Sequence, residues 1–321
     1  MQIVRLSRGP ALVEDGQVIG GLTQRTVAEL WHLSVAELRG VLEAVRQPGG
    51  HHTEIILAPI DGQTEVWAAG VTYRRSEEAR VEESGTPDIY TKVYSADRPE
   101  LFFKATPRRV AGPEESVVVR SDSTWDVPEP ELAVVVNARG EIAGYTIGND
   151  VSSRSIEGDN PLYLPQAKVY AHSCALGPGI TPVWEIENPY ALEMNMRILR
   201  GGQLHWSGEA NTIDLKRRLE DLIEYLFRED DFPDGVILST GTALVPETPF
   251  TLQHGDVVEI EIDQLGLLRN PVVTGKAALR LLSQVFEADW HAAHHYDAPD
   301  PLLSHTHIED DFPHDPDLQH D

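Results

Sequence analysis

Glu129 and Glu131 stand two residues apart in the run Trp125-Asp126-Val127-Pro128-Glu129-Pro130-Glu131-Leu132-Ala133-Val134-Val135. The apolar, β-branched residues that follow predict a strand. Side chains two apart in a strand point to one face, so the two carboxylates converge. Pro128 and Pro130 stiffen the approach. Two carboxylates held side by side repel unless a cation or a shared proton lies between them. A hard divalent cation such as Mg²⁺, which prefers oxygen ligands, meets that need, with Mn²⁺ or Ca²⁺ as substitutes. Standing alone, the pair also fits a solvated acidic strand edge.

The neighbouring sequence adds to the pair. Asn137-Ala138-Arg139-Gly140-Glu141 reads as a hairpin turn, and Ile142 to Ile147 as the returning strand. The turn lies about halfway between Glu131 and Asp150, so the hairpin returns Asp150 to the end that carries the glutamates. Three carboxylates then make an oxygen-rich site whose other positions suit water or substrate. Asp150 alone also fits a turn residue or a helix cap. Lys168 follows in Pro165-Gln166-Ala167-Lys168-Val169-Tyr170. A lysine beside a metal and enclosed by apolar walls suits proton transfer, whereas a typical surface lysine lays its stem along the protein. Only five lysines occur against 21 arginines, so each draws notice. Arg98-Pro99-Glu100-Leu101-Phe102-Phe103-Lys104 puts a further acid, Glu100, and a further lysine, Lys104, around an aromatic pair. Glu100 reads as an acid–base partner or a turn acid, and Lys104 as a candidate substrate contact.

These residues need a scaffold, and composition bounds it. A chain of 321 residues with 41% hydrophobic content suits a soluble globular protein. The net charge of −26 excludes nucleic acid and anionic membranes as natural partners. It also suggests a surface adapted to salt, and fits an acid-rich mesophile equally. No apolar run approaches a membrane span, and the N-terminus lacks a signal-peptide pattern, so the cytoplasm is expected. The single cysteine, Cys174, excludes an intramolecular disulfide and a cysteine zinc cage. Residues 1–60 read as a small N-terminal α+β domain, with short strands and one helix from Thr26 to Arg46. Residues 61–285 read as a β-rich domain of short strands at hairpin spacing, with a helix from Ile213 to Arg228. Residues 286–321 read as an acidic, His-rich tail. Seven of the 13 histidines fall in 291–321, and the tail is expected to be solvated or draped on a neighbour rather than a functional metal site.

Taken together, these segments resemble the fumarylacetoacetate hydrolase superfamily over about residues 60 to 280. The Glu-x-Glu pair, Asp150 and Lys168 carry the likeness. The stretches Arg98–Pro107, Asn160–Lys168 and Ser239–Pro246 are similar to the superfamily's branch of 2-keto-3-deoxy-pentonate dehydratases. The resemblance implies an α+β fold, a mixed β-roll catalytic domain and a homo-oligomer, dimer or tetramer. It carries metal ligation onto Glu129, Glu131 and Asp150, the catalytic lysine onto Lys168 and the acid–base carboxylate onto Glu100. It carries a hold on the substrate carboxylate onto Thr242. Glu157 stands where hydrolytic members often have glutamine, and is taken as a substrate contact of unassigned role. Those members also carry a His-x-x-Glu pair just after an early tyrosine. Counting without gaps from Tyr73, Ser76 and Ala79 fall at those positions, so the usual base for hydrolysis is missing.

The resemblance therefore implies a hydro-lyase, a Mg²⁺-dependent dehydratase of pentose catabolism. It would convert 2-keto-3-deoxy-D-arabinonate, which is equally the D-xylonate derivative, to 2,5-dioxopentanoate. Lys168 is the candidate base at carbon 3, and Glu100 the candidate acid for the hydroxyl on carbon 4. The sequence leaves those two labels exchangeable. Two other readings stay open. One is a hydrolase or decarboxylase of an acylpyruvate-like 2-oxo acid, revealed by released pyruvate or CO₂. The other is a non-catalytic 2-oxo-acid-binding protein, revealed by binding without turnover.

Overall fold

Short β-branched runs separated by glycine and polar turns become seventeen strands among the described residues. The computed structural model describes residues 1–45, 54–74 and 87–281, apart from the side chains of 87–90. The expectations placed on Ser76, Ala79 and the tail lie outside these. The N-terminal strands are β1 (Gln2–Leu6), β2 (Gly9–Glu14) and β3 (Gln17–Gly21). Asp15 and Gly16, at φ 49° and 74°, form the two-residue turn between β2 and β3. The helix expected from Thr26 to Arg46 is instead a 3₁₀ turn (Ala28–His32) followed by α1 (Val35–Ala44). The break comes at Ser34, whose hydroxyl accepts the Glu37 N–H while the Glu37 carboxylate accepts the Ser34 N–H. This capping box starts a new helix there. Leu38 and Leu42 of α1 are buried, each contributing roughly 1.5–3 kcal/mol.

The remaining elements come in chain order. They are β4 (Glu65–Gly70), α2 (Pro87–Ser95), β5 (Glu100–Ala105), β6 (Val110–Ala111), β7 (Val117–Val119) and β8 (Asp126–Val127). Next come β9 (Pro130–Val136), β10 (Ile142–Asp150), β11 (Ser152–Ser153), α3 (Arg154–Asp159), α4 (Leu164–Lys168) and β12 (Cys174–Pro182). The chain continues with β13 (Glu193–Arg200), β14 (Gln203–Asn211), α5 (Leu219–Leu226), β15 (Val236–Ser239), β16 (Val257–Ile262) and β17 (Gly266–Thr274). The main sheet runs β3-β2-β1-β12-β10-β9-β15-β4-β5, with β6 beside β12. A second sheet runs β14-β13-β16-β17-β7. Parallel pairs (β15 with β4, β12 with β6, β17 with β7) sit among antiparallel ones, which makes the β-roll mixed.

Strand β9 explains why the sequence after Glu131 is a continuous apolar run rather than an alternating one. Leu132, Val134 and Val136 enter a core shared with the second sheet. Ala133 and Val135 enter another with Trp31, Leu38 and Leu42. A strand covered on both faces has no polar face to show. The helix expected from Ile213 to Arg228 is shortened to α5. Leu215 is extended (φ −66°, ψ 114°) because it bridges Tyr73, and the Lys216 N–H bonds to the Thr72 carbonyl at 3.0 Å. Residues 1–279 form one compact unit. No helix among the described residues is long and apolar enough to cross a membrane.

Candidate active site

The β9–β10 hairpin sets Glu131 opposite Gly148 and Pro130 opposite Asn149. One step further, the Asp150 N–H bonds to the Glu129 carbonyl at 2.9 Å. The register brings oxygens of Glu129, Glu131 and Asp150 within 4.8 Å of one another. All three residues are at most 3% exposed, so water does little to separate their charges. Glu131 accepts the Gly241 N–H at 2.9 Å. Its carboxyl is pushed well above the usual range, first by burial and then by Asp150 and Glu129.

Three buried cations face this cluster. Lys168 donates to Glu129 Oε2 (2.8 Å), to Asp150 Oδ2 (2.9 Å) and to the Ser152 hydroxyl. Arg154 reaches Glu129 Oε1 and Glu157 Oε2, each at 3.0 Å. Lys104 meets Asp150 Oδ1 and donates to the Val151 and Lys168 carbonyls (3.1 and 2.6 Å). Four buried carboxyls, those of Glu129, Glu131, Asp150 and Glu157, thus face three cations. Glu131, raised by burial and its acidic neighbours, is the carboxyl that a hard divalent cation among these oxygens would stabilise in its ionised form, so the donor set fits Mg²⁺.

One cleft is lined by Glu100, Glu129, Glu131, Asp150, Glu157, Lys168 and Thr242, with Val71, Phe102 and Leu164 as apolar wall. Seven of the eight site residues expected from the sequence therefore meet in one place. Lys104 does not reach the cleft. It is 0% exposed, and its three N–H donors are directed at protein oxygens, which leaves none for a substrate. Glu100 opens β5 opposite Gly70 of β4. A Cβ on Gly70 would lie 2.1 Å from Glu100 Oε2, so glycine is what lets the carboxylate lie there. Thr242 follows Gly241, whose φ is +89° and whose Cβ would stand 2.1 Å from the Thr72 hydroxyl. That hydroxyl donates to the Thr240 carbonyl at 2.6 Å and fixes the loop. The Cys174 thiol is buried and pushed up to about 12 by burial, which makes it a poor nucleophile.

Arg154 and Ser152 were missed by sequence reasoning. The one available signal was the three-residue spacing of Arg154 and Glu157 on a short helix, which permits an ion pair.

A β-roll that holds a buried three-carboxylate cluster beside a lysine and a glutamate has the make-up of a metal-dependent enzyme. The chain belongs to the fumarylacetoacetate hydrolase family: residues 65–273 match the model of the fumarylacetoacetate (FAA) hydrolase C-terminal domain. It is 54% identical over 216 residues to a probable 2-keto-3-deoxyxylonate dehydratase of Haloferax volcanii, covering 67% of this chain and 74% of that protein. It is 49% identical over 221 residues to the 2-dehydro-3-deoxy-D-arabinonate dehydratase of Saccharolobus solfataricus, covering 68% of this chain and 74% of that one. A solved structure of 2-keto-3-deoxy-D-arabinonate dehydratase complexed with magnesium and 2,5-dioxopentanoate superposes with a TM-score of 0.73 at 39% identity. That match covers 85% of this chain and 99% of the other.

Proposed function

We propose that this chain is a Mg²⁺-dependent hydro-lyase that removes water from 2-keto-3-deoxy-D-arabinonate, equally the D-xylonate derivative, to give 2,5-dioxopentanoate. The observation that carries this reading is the convergence of Glu129, Glu131 and Asp150 in one cleft with Lys168 and Glu100. The two similar dehydratases and the magnesium complex support it.

Glu129, Glu131 and Asp150 would hold the ion. Bound there, Mg²⁺ supplies Lewis-acid polarisation of the substrate's carboxylate and 2-keto oxygens, which acidifies carbon 3. Lys168 takes a proton from carbon 3. Glu100 protonates the hydroxyl leaving carbon 4, and one water departs. The 3,4-alkene that remains loses a proton from carbon 5 and regains one at carbon 3. The resulting enol tautomerises to the terminal aldehyde, so atoms balance with no redox partner. Thr242 would hold the substrate carboxylate and Glu157 would contact the substrate, with Arg154 fixing the Glu157 carboxylate. Phe102, Val71 and Leu164 form the dry wall that strengthens these charges. The reading extends to a cytoplasmic homo-oligomer, a dimer or tetramer, a size that light scattering measures.

The test is a mass-spectrometric assay of the purified protein with Mg²⁺ and a panel of 2-keto-3-deoxy acids. Loss of water that stops on chelation is expected. Lys168→Ala and Glu100→Gln should each lower turnover by about 10²–10⁴ with the fold intact. Released pyruvate or CO₂, or near-normal turnover in both variants, would refute the proposal.

A further inference from the structure

Val71 and Glu100 both line the cleft. One tripeptide, Leu215-Lys216-Arg217, ties down the backbone just after the first and just before the second. After Val71, Leu215 bridges Tyr73 and the Lys216 N–H bonds to the Thr72 carbonyl at 3.0 Å. Before Glu100, the last carbonyls of α2 and its exit go to the two cations of the tripeptide. Arg217 donates to Val93 (2.9 Å), Ala96 (2.8 Å) and Asp97 (3.1 Å). Lys216 donates to the Tyr94 carbonyl, and its ammonium lies 3.8 Å from the Tyr94 ring centroid.

A helix leaves its last carbonyls without partners, and a cation is favoured at that end by the helix dipole. The guanidinium suits the task because its planar fork of five donors spans several acceptors at once. Beyond Asp97 the clamped chain leads straight to the cleft. Arg98 stacks on Tyr225 at 5.3 Å, and the next residue but one is Glu100. Strand β5 ends the main sheet, so among the described residues its only strand neighbour is β4. Pairing with Gly70 on one side and the anchored Val93–Asp97 backbone behind it therefore both bear on the position of Glu100.

We infer that Arg217 is a positioning residue for Glu100, acting through the Val93, Ala96 and Asp97 carbonyls without touching the cleft. The inference rests on the acid–base role proposed for Glu100. Arg217 lies away from the carboxylate cluster, and its loss leaves the Mg²⁺ ligands untouched.

The experiment is a double-mutant cycle on the Mg²⁺-loaded full chain, comparing Arg217→Met, Glu100→Gln and the double variant, with Arg217→Lys as the conservative change. Arg217→Met should lower kcat at least about tenfold, since a shift of about 1 Å in a reacting group is costly. KM should stay within about threefold and the Mg²⁺ affinity measured by calorimetry should be unchanged. Arg217→Lys should restore only part of kcat, because an ammonium cannot fork across three carbonyls. In the Glu100→Gln background Arg217→Met should cause no further loss. Wild-type turnover of Arg217→Met, an equal loss in both backgrounds, or a fall in Mg²⁺ affinity would each overturn the inference. Full turnover of Glu100→Gln alone would overturn the role of Glu100, and this inference with it. Should Arg217→Met lose its folded circular dichroism spectrum, Arg217→Gln carries the same cycle.

Discussion

Replacing Gly70 by alanine adds a single methyl group to the site, and the structure sets the size of its effect. The new Cβ would lie 2.1 Å from Glu100 Oε2 and 2.7 Å from its Cδ, where ordinary contact begins at 3.4 Å. The carboxylate must retreat by at least about 1.3 Å. The group that has to move is the far end of a flexible side chain, and Gly70 is not among the glycines at positive φ, so the fold absorbs the change. Losing a glycine also lowers the entropy of the unfolded chain, a gain of about 0.4–1 kcal/mol. Stability should therefore stay within about 1 kcal/mol of the parent. Turnover is another matter. Misplacing a reacting group by about 1 Å can cost about 100-fold, or close to 3 kcal/mol of barrier, and loss of a positioned acid is bounded near 10⁴-fold. Gly70→Ala is thus expected to melt like the parent, bind Mg²⁺ like the parent and lose about 100-fold in kcat. Steady-state kinetics by mass spectrometry, beside urea unfolding, makes the comparison. Parental turnover in the folded variant would refute the argument, as would the same loss when Gly70→Ala is placed on Glu100→Gln.

Asp126 is 3% exposed, and burial pushes its carboxyl up to about 6 from 3.8. Below the lower value both states hold the proton and nothing is lost. Between the two values the unfolded chain releases it while the folded chain keeps it, so stability falls as pH rises, by about 3 kcal/mol in all. Asp126→Asn should remove that fall and raise stability at pH 7, and urea midpoints at pH 4 and pH 7 that move in parallel with the parent's would argue against it. Lys104→Met takes one of two buried cations from Asp150, leaving Lys168, and strips the Val151 and Lys168 carbonyls of a donor. It should cost about 1–3 kcal/mol in chemical denaturation, and no measurable loss would show Lys104 to be dispensable. With a net charge of −26, the protein should melt at higher temperature as KCl rises from 0.1 to about 1 M, because the screening length shrinks from about 10 to about 3 Å. A melting temperature indifferent to salt would assign the acidity no role in stability.

How much of the site could be read beforehand depends on how far apart its partners lie in the chain. Glu129, Glu131 and Asp150 belong to one hairpin, so a two-residue period and the place of one turn suffice to bring them together. The β-rich class was legible for the same local reason, in strands punctuated at hairpin spacing. The ends of helices were less so. A 3.6-residue period runs on through Ser34 and Leu215, where a capping box and a tertiary bridge interrupt the helix. The compensating cations were least legible, and Lys104 and Lys168 show why. Both are lysines, both are buried, and both meet Asp150. Lys104 comes from β5 and also meets two backbone carbonyls, at Val151 and Lys168, that lie 47 and 64 residues away. Together with Asp150, those carbonyls engage all three N–H donors of Lys104, which leaves none for the cleft. Lys168 meets side chains instead, those of Glu129, Asp150 and Ser152, and it lines the cleft. A divalent cation among those same carboxylates competes for the charge that holds the Lys168 ammonium. In the reading proposed for the site, that competition and its place on the cleft make Lys168, rather than Lys104, the lysine that meets the substrate.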